Sequence, residues 1–247
     1  MSLTPPTSTP SAPSAPSEFI APAWRERLDE QRLATFDQFW KVTGEQVDPT
    51  NVARGGWSQV IRCTLFSDPT VVLYVKKQLG YQSKTWRHPV RGIPTLQREF
   101  SNLEHCRRCG VPTASVVYFS TGTIDGQPAA ILVTEALMDY EALHVRFDAL
   151  PVHDQASRGS LLVAVAQALG RLHRSGLKHG CLYPKHILVP MGSANIDQLR
   201  FIDLEKARRF VFRRSAIRRD FGTLFRRMPG WAAEERKRFL EAYESVF

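Results

Sequence analysis

The segment His179–His186, which reads HGCLYPKH, carries the strongest structural signal in this chain of 247 residues. A short apolar run, Ile187–Val189, follows it, and after turn residues a second run ends in Phe201-Ile202-Asp203. The two runs predict an antiparallel hairpin. In such a pair the residue before the first strand lies beside the residue after the second, so we expect His186 and Asp203 to meet at one end of the hairpin.

A histidine-led loop, a hairpin and an aspartate follow one another in the catalytic centre of protein kinases, as H-R-D-L-x-x-x-N and then the Asp of D-F-G. In this pattern His179 matches the loop histidine, and Cys181 stands where the catalytic aspartate should be. His186 stands at the asparagine position, and Asp203 matches the metal-binding aspartate. A chance strand pair with one histidine and one aspartate does not explain the further motifs upstream.

A lysine and a glutamate upstream fit the same pattern. Lys76 ends the apolar run Val71–Val75, and Glu99 lies on the apolar stripe of a predicted helix, with Leu96, Phe100 and Leu103. In kinases a strand lysine paired with a helix glutamate positions the nucleotide phosphates. The competing interpretation is a helix-surface ion pair of Glu99 with Arg98 or Arg107.

Two adjacent glycines, Gly55 and Gly56, precede the first predicted strand of the sheet. Glycine allows positive φ and close approach, so this loop could turn backbone amides toward phosphate oxygens. Two adjacent glycines are more often an ordinary turn, and the full G-x-G-x-x-G pattern is absent. The loop is therefore compatible with nucleotide binding but adds little alone.

The cysteines offer two further interpretations. Cys106 and Cys109 have zinc or redox spacing, but no second ligand pair is found, and Cys106 continues the buried helix stripe, which favours packing. Cys181 beside His179 or His186 could be a nucleophile, although no orienting third group is apparent. With Cys63 the chain has four cysteines without a disulfide framework, so we expect free thiols in a reducing compartment.

The chain divides into a tail and one predicted domain. Residues 1–17 are mostly Ser, Thr, Pro and Ala, a composition typical of disorder, whereas residues 18–247 can form a core. Within them we predict an antiparallel sheet with one helix, about residues 42–135, and then a helical half, about residues 138–247. Four helical regions are predicted, at about Trp24–Lys41, from Thr95 to Gly110, at about Ser160–Ser175, and along the basic tail to Phe247.

Positive charge predicts an anionic partner. Lys and Arg number 33 against 24 Asp and Glu, and the arginine pairs at 208–209, 213–214, 218–219 and 226–227 hold much of the excess. These arginines, with Lys84, Arg87 and Arg91, are expected to hold the protein against an anionic membrane surface. Nucleic acid is not expected, because no helix-turn-helix, RNP or zinc-finger pattern occurs. No apolar run predicts a membrane span or signal peptide, so we expect a cytoplasmic protein.

Four sequence motifs together resemble one family. They are LYVKK at 73–77, Pro94-Thr95 with Arg98-Glu99, HGC at 179–181 with Tyr183 and His186, and IDLEKARR at 202–209. From about Phe36 to Met228 the chain looks like the InaA branch of the lipopolysaccharide core kinase family. The resemblance implies an α+β, protein-kinase-like fold of two lobes, with nucleotide between them and a hinge near Glu135 to Leu137.

The same resemblance implies ATP and Mg²⁺ as cofactors. It places Gly55, Gly56, Lys76, Glu99, Glu135 and Leu137 at ATP, and Asp203 with His186 at the metal. By the same carry-over Asp220 braces the catalytic loop, although a helix N-cap would also explain it. The implied reaction is phosphate transfer to an inner-core sugar of lipopolysaccharide, an anionic saccharide, at the cytoplasmic face of the inner membrane.

The alternative is a catalytically impaired, InaA-type stress-response or regulatory protein. The heptose kinases of the family keep an aspartate where the InaA branch reads His-Gly-Cys, and a thiol at position 181 is a less suitable proton acceptor than a carboxylate. The imidazole of His186 also suits softer metals than Mg²⁺, which prefers oxygen ligands.

Overall fold

The structure is a computed structural model that describes residues 17–53, 55–65, 67–85, 88–192 and 198–246, with backbone alone for residues 53, 82–85, 88–92 and 213. Apart from Ser17, the predicted tail lies outside this range, so its predicted disorder stays a prediction. Among the described residues, no helix has the length and apolar character that a membrane crossing requires.

The first half of the chain is mainly strands. In chain order its elements are β1 (Glu18–Ile20), a 3-10 turn (Pro22–Trp24), α1 (Arg25–Glu30), α2 (Phe36–Lys41), β2 (Glu45–Gln46), β3 (Asn51–Ala53), β4 (Gly56–Thr64), β5 (Val72–Leu79), β6 (Gln82–Thr85), β7 (His88–Pro94), α3 (Thr95–Arg108), β8 (Val116–Ile124) and β9 (Gln127–Glu135).

The second half is mainly helices. Its elements are β10 (Tyr140–Ala142), α4 (Leu143–Ala149), α5 (Gln155–Arg174), β11 (Leu177–Lys178), a 3-10 turn (Pro184–His186), β12 (Ile187–Pro190), β13 (Arg200–Phe201), a 3-10 turn (Leu204–Lys206), β14 (Arg208–Arg209), α6 (Arg213–Arg227) and α7 (Ala233–Val246).

A seven-stranded sheet forms the first half, in the order β1-β8-β9-β5-β4-β2, with β3 also paired to β4. Every pairing in it is antiparallel, as predicted. β5 lies between β4 and β9, and in the register Lys76 stands between Val60 and Leu132. Lys76 is therefore held on a central strand, which fixes the position of its backbone.

The predicted helix over Trp24–Lys41 is wrong in its continuity, because the chain breaks between α1 and α2. Arg32 adopts a left-handed φ of 55°, and residues 33–35 are not helical. Thr35 then starts α2 with a capping box in which its hydroxyl accepts from the Gln38 N–H, and the Gln38 side chain accepts from the Thr35 N–H. The capping of a second helix start outweighs the continuous apolar pattern.

Two other segments differ from prediction. β1 pairs with β8 through Glu18 and Ser120, so the sheet begins upstream of the predicted limit near residue 42. The hydroxyl of Tyr118 also donates to Glu18 Oε1 at 2.9 Å. The basic segment that follows β5, predicted as a loop, forms the β6–β7 hairpin in its described residues.

Gln78 orients α3 against the sheet. Its Oε1 accepts from the Leu96 N–H at 3.1 Å and from the Thr95 hydroxyl at 2.6 Å, which supplies the acceptor that the helix start lacks. The predicted apolar stripe is confirmed, since Leu96, Glu99, Phe100, Leu103 and Cys106 are all buried. Because Gln78 is two residues after Lys76 on the same strand face, this cap brings Glu99 over Lys76.

Helix α5 is the centre of the second half, and most of its residues are buried, as its strongly apolar sequence predicts. It packs on α7, where Arg158 Nε donates to Glu235 Oε1 at 2.6 Å. One continuous core joins the halves, because α3, the sheet, α5 and β13 share it through Phe100, Phe119, Leu169 and Phe201. The two halves are thereby packed directly against each other.

Candidate active site

Lys76 and Glu99 form an ion pair. Lys76 Nζ lies 2.6 Å from Glu99 Oε1, and Glu99 is buried. The competing surface pair is wrong, because Arg107 pairs with Glu104 at 3.0 Å and Arg98 Nε donates to the Glu205 carbonyl at 2.8 Å. The strand lysine and stripe glutamate therefore meet as the kinase pattern predicts.

The next lysine serves a different purpose. Successive side chains of a strand point to opposite faces, so Lys77 faces away from α3. Its Nζ donates to the carbonyls of Trp40 and Val42, each at 2.6 Å, at the end of α2. Only Lys76 of the two adjacent lysines reaches the candidate site.

The carboxylate of Asp203 acts electrostatically on the ion pair of Lys76 and Glu99. Burial alone would lower the pKa of Lys76, but the carboxylates of Glu99 and Asp203 outweigh burial and raise that pKa above its usual value. Lys76 is therefore a fixed cation at neutral pH. Within the described part of the chain the second carboxylate oxygen of Glu99, Oε2, is buried without a hydrogen-bond partner.

His186 and Asp203 meet at the end of the predicted hairpin. Ile187 of β12 pairs with Phe201 of β13, and the Ile202 N–H donates to the His186 carbonyl at 3.0 Å. The side chains face each other, with His186 Nε2 3.4 Å from Asp203 Oδ2. Asp203 holds a left-handed backbone, φ 58° and ψ 57°, which turns its carboxylate back toward the histidine.

The side chains of His186 and Asp203 direct a nitrogen lone pair and an oxygen lone pair toward the same point. Burial is the main reason that the pKa of His186 lies below its usual value, so the ring is neutral at pH 7. Its Nδ1–H donates to the Cys181 carbonyl at 2.9 Å, which leaves Nε2 as the bare nitrogen that faces Asp203. Two facing acceptors fit a bound cation between them. An imidazole nitrogen with a carboxylate suits Mn²⁺ or Zn²⁺ better than Mg²⁺, which prefers oxygen ligands.

Protein ligands alone would leave such a cation incompletely coordinated. No group of three or more His, Cys, Asp or Glu side chains with metal-binding geometry occurs within the described ranges. The remaining ligands would be nucleotide oxygens and water, as is usual for phosphate-bound metals.

Asp220 holds the loop that carries HGC. Its Oδ2 accepts from the His179 N–H at 2.7 Å, and its Oδ1 accepts from the Gly180 N–H at 2.9 Å. The N-cap alternative is wrong, because Asp220 lies inside α6 and is fully buried. Gly180 is needed for its backbone, since its φ is +78° and a Cβ would lie 2.6 Å from the Lys206 carbonyl oxygen. An arginine, as in the kinase H-R-D, would clash here.

Two residues that the sequence interpretation missed complete this support. His173 of α5 approaches Asp220 Oδ2 through Nε2 at 3.1 Å and Tyr243 Oη of α7 through Nδ1 at 2.9 Å. Although burial opposes it, hydrogen bonds from His173, Gly180 and His179 hold the pKa of Asp220 below its usual value. A buried hydrogen-bond network thus connects α7 to the loop that carries His179-Gly180-Cys181, which we call the catalytic-type loop.

His179 is buried as a neutral side chain. Burial lowers the pKa of His179 from 6.5 to about 4, despite the nearby Asp220. Its Nε2–H donates to the Ile202 carbonyl at 3.1 Å, which ties the loop to the residue before Asp203. His179 therefore orients the loop and is not exposed to solvent.

Cys181 is also buried, and its carbonyl holds His186 in place. The segment after Asp203 is in turn fastened to α3, because Asn102 Nδ2 donates to the carbonyls of Leu204 at 2.9 Å and Ala207 at 3.1 Å. Lys76, Glu99, His186 and Asp203 are accordingly held in one cluster by elements from both halves.

The remaining predicted nucleotide residues lie near the two opposite ends of β5, the glycines beside Leu79 and Glu135 beside Leu73. Gly55 precedes β4, which begins at Gly56, and Gly56 is required because a Cβ would lie 2.2 Å from the Leu79 carbonyl oxygen. Gly55 has a φ of +76° with open space around it. Glu135 ends β9, and Leu137 follows in the connection to β10, at the position predicted for a hinge. Their contacts with ATP stay a prediction.

The other three cysteines differ in their exposure to solvent. All four are free thiols, as expected. Burial raises the pKa of Cys106 to about 12, so this thiol is protonated and part of the core. Cys109 lies 3.7 Å from His105 Nε2, but that nitrogen is 2.8 Å from the Ser175 carbonyl, to which it donates. Packing therefore accounts for Cys106, whereas Cys109 lies exposed just after α3.

Comparison with known proteins agrees with the geometry. The profile of the lipopolysaccharide kinase (Kdo/WaaP) family matches residues 37–243. Protein InaA of Escherichia coli strain K12 is 33% identical over 196 residues, which cover 76% of this chain and 86% of InaA. A solved structure described as WaaP in complex with acyl carrier protein superposes with a TM-score of 0.68 at 19% identity. That match covers 92% of this chain and 88% of WaaP and supports the kinase-like fold. The chain belongs to the lipopolysaccharide kinase (Kdo/WaaP) family.

Proposed function

We propose that the protein transfers the γ-phosphate of ATP to a sugar of the lipopolysaccharide inner core. The observation that carries this proposal is the cluster of Lys76, Glu99, His186 and Asp203. The cluster joins a partly buried ion pair to two facing acceptors, and Asp203 acts electrostatically on Lys76. Binding of a nucleoside triphosphate requires a positively charged side chain, here Lys76, beside a site for a divalent cation.

Each residue has a distinct role in this proposal. Lys76 binds phosphate oxygens, and Glu99 keeps its ammonium in place. His186 and Asp203 hold a divalent cation, which would neutralise charge on the phosphates when bound. Asp220 and His179 fix the loop, so that position 181 stays beside the reacting hydroxyl.

The thiol of Cys181 determines how fast we expect phosphotransfer to be. Kinases place a carboxylate here to accept and orient the acceptor hydroxyl, whereas a thiol does both less well. Phosphoryl transfer depends mainly on positioning and charge stabilisation, both of which the cluster supplies. We therefore expect slow turnover.

An exposed arginine near the loop favours an anionic acceptor. The Cζ atom of Arg227 lies 5.2 Å from the centre of the Tyr183 ring, and that ring contacts His186 edge-on at 5.3 Å. Arg227 is exposed, so its guanidinium is open to a phosphate or carboxylate of the acceptor. With the other arginines of α6, it supports peripheral contact with the cytoplasmic leaflet of the inner membrane, where that acceptor is anchored.

The test combines nucleotide binding with phosphotransfer. At a nucleotide concentration of about 100 Kd, the wild-type melting temperature should rise by about 5–10 °C. Lys76→Ala should abolish the rise, whereas the matched control Lys77→Ala should lower the starting melting temperature and keep the rise. ATP labelled in the γ position, with Mg²⁺ or Mn²⁺ and defined core oligosaccharides, then tests transfer. Equal nucleotide effects in wild type and Lys76→Ala would remove Lys76 from the site.

The second candidate function is a kinase-like regulatory protein without turnover, and Cys181 is the observation that favours it. Nucleotide binding that depends on Lys76, without transfer to any core oligosaccharide and with either metal, would select this function.

A further inference from the structure

A short apolar segment stands out from the surface between β14 and α6. Residues 208–214 read RRFVFRR. Phe210 anchors the segment, since its N–H donates to the Gly176 carbonyl at 3.2 Å and its ring lies edge-on to His173 at 6.3 Å. Val211 and Phe212 are turned outward, with 90% and 79% of their surface exposed. We call these two residues the apolar pair.

The apolar pair differs from the other exposed apolar residues of the described chain. Val52 and Val152 are similarly exposed, at 77% and 75%, but each stands alone. Single exposed apolar residues are common on protein surfaces. The apolar pair places a valine and a phenylalanine side by side on an anchored backbone. Together they form a compact apolar surface, which we call the tip.

Arginines surround the tip. Residues 208–219 contain six arginines and no acidic residue. Arg208 and Arg209 precede the tip, and Arg214, Arg218 and Arg219 follow it, and all five are exposed. Arg208 Nη1 donates to the carbonyls of Glu205 and Ala207, and Arg209 Nη2 lies 3.2 Å from His105 Nδ1. These contacts use only some of the donors of each guanidinium, which leaves others for an anionic surface.

The tip lies close to the catalytic-type loop. β14 pairs with β11, with Arg209 opposite Leu177 and Arg208 opposite Lys178. The residue after β11 is His179, the first of the loop. A surface bound by the tip would therefore lie beside the loop that carries Cys181.

We propose that the apolar pair inserts into the headgroup region of an anionic phospholipid bilayer, while the flanking arginines bind lipid phosphates. Aromatic and aliphatic residues bracketed by basic ones are the composition that binds at membrane interfaces. A second copy of the chain is a poor occupant, because two such arginine clusters repel. This inference rests on the proposed function in one respect, because membrane binding would bring the protein to a membrane-anchored acceptor.

The test measures flotation of the full chain with phosphatidylcholine vesicles, with and without phosphatidylglycerol, across a salt series. Wild type should float with the anionic vesicles. Val211→Ser/Phe212→Ser should bind at least about tenfold more weakly at each salt concentration, because the inserted apolar surface is lost. Val52→Ser/Val152→Ser makes the same kind of change elsewhere and should bind as wild type does. Equal binding of the two double variants would overturn the inference and leave only electrostatic attraction.

Two further measurements distinguish insertion into lipid from self-association through the tip. Brominated lipid should quench the tryptophan fluorescence of the Phe212→Trp variant more strongly than that of wild type. Equal quenching of the two proteins would overturn insertion. Sedimentation without lipid should show the same association state for wild type and Val211→Ser/Phe212→Ser. A dimer lost in that variant would instead make the tip a protein interface.

The flotation assay contains neither nucleotide nor saccharide, so it does not depend on the proposed reaction. Lys76→Ala should float as wild type does. Membrane insertion without phosphotransfer would refute the proposed function alone, whereas phosphotransfer to soluble core oligosaccharide without insertion would refute this inference alone.

Discussion

Protonation of His179 should limit the stability of the protein in mild acid. The pKa of His179 is lowered by burial from 6.5 to about 4, so between these values the unfolded chain binds a proton that the folded chain does not. Stability therefore falls as pH falls through this window. At 1.36 kcal/mol per pH unit, His179 alone should reduce the free energy of unfolding by about 2–3 kcal/mol between about pH 7.5 and pH 4.5.

Urea unfolding, followed by circular dichroism at several pH values, measures this loss. His179→Gln keeps a donor for the Ile202 carbonyl but has no ionisable ring, so its stability should fall by about 2–3 kcal/mol less than that of wild type over the same range. His105, whose pKa burial also lowers, contributes equally to both proteins and cancels in the difference. The ring of His186 lies 5.8 Å from that of His179, so the difference also includes the electrostatic coupling between these two histidines. The exposed His153 provides the control, and His153→Gln should follow wild type. Parallel pH curves for wild type and His179→Gln would refute the assignment of His179 as a buried neutral residue.

Three other changes have definite expected outcomes. Cys181→Asp should raise ATP-dependent phosphotransfer at least about tenfold, measured with γ-labelled ATP, because it restores the acceptor carboxylate; no gain in a folded variant would show that the thiol is not limiting. Asp220→Asn should lower the free energy of unfolding by about 2–4 kcal/mol, since an amide turns a donor toward backbone N–H groups, whereas the exposed Asp148→Asn should change it little. Removal of residues 1–16 should leave the melting temperature unchanged in calorimetry, and a clear decrease would mean that the tail docks.

The sequence predicted those parts of the site that depend on local periodicity and on motif order. Alternation along β5 and the stripe of α3 were enough to bring Lys76 to Glu99, and the hairpin register was enough to bring His186 to Asp203. Each pair follows from the geometry of two neighbouring elements. Such geometry is encoded within a few tens of residues and can be read directly.

The support beneath the loop could not be read in this way. His173 is separated from Asp220 by 47 residues and from Tyr243 by 70, and nothing in the local pattern of α5 or α7 distinguishes these residues from ordinary helix positions. β1 is a three-residue strand that is defined only by its pairing with β8. The break before α2 did leave a signal, because Thr35 and Gln38 have the spacing of a capping box.

The bonds that Asp220 makes to the loop have an evolutionary consequence. They reach peptide N–H groups of His179 and Gly180 and no side chain of the loop, so selection for loop shape acts on different atoms from selection for chemistry. Gly180 and Asp220 thus set the shape of the loop backbone without using the side chain at position 181. A change of side chain at this one position can therefore alter the chemistry of the loop while the hydrogen bonds that shape its backbone are kept.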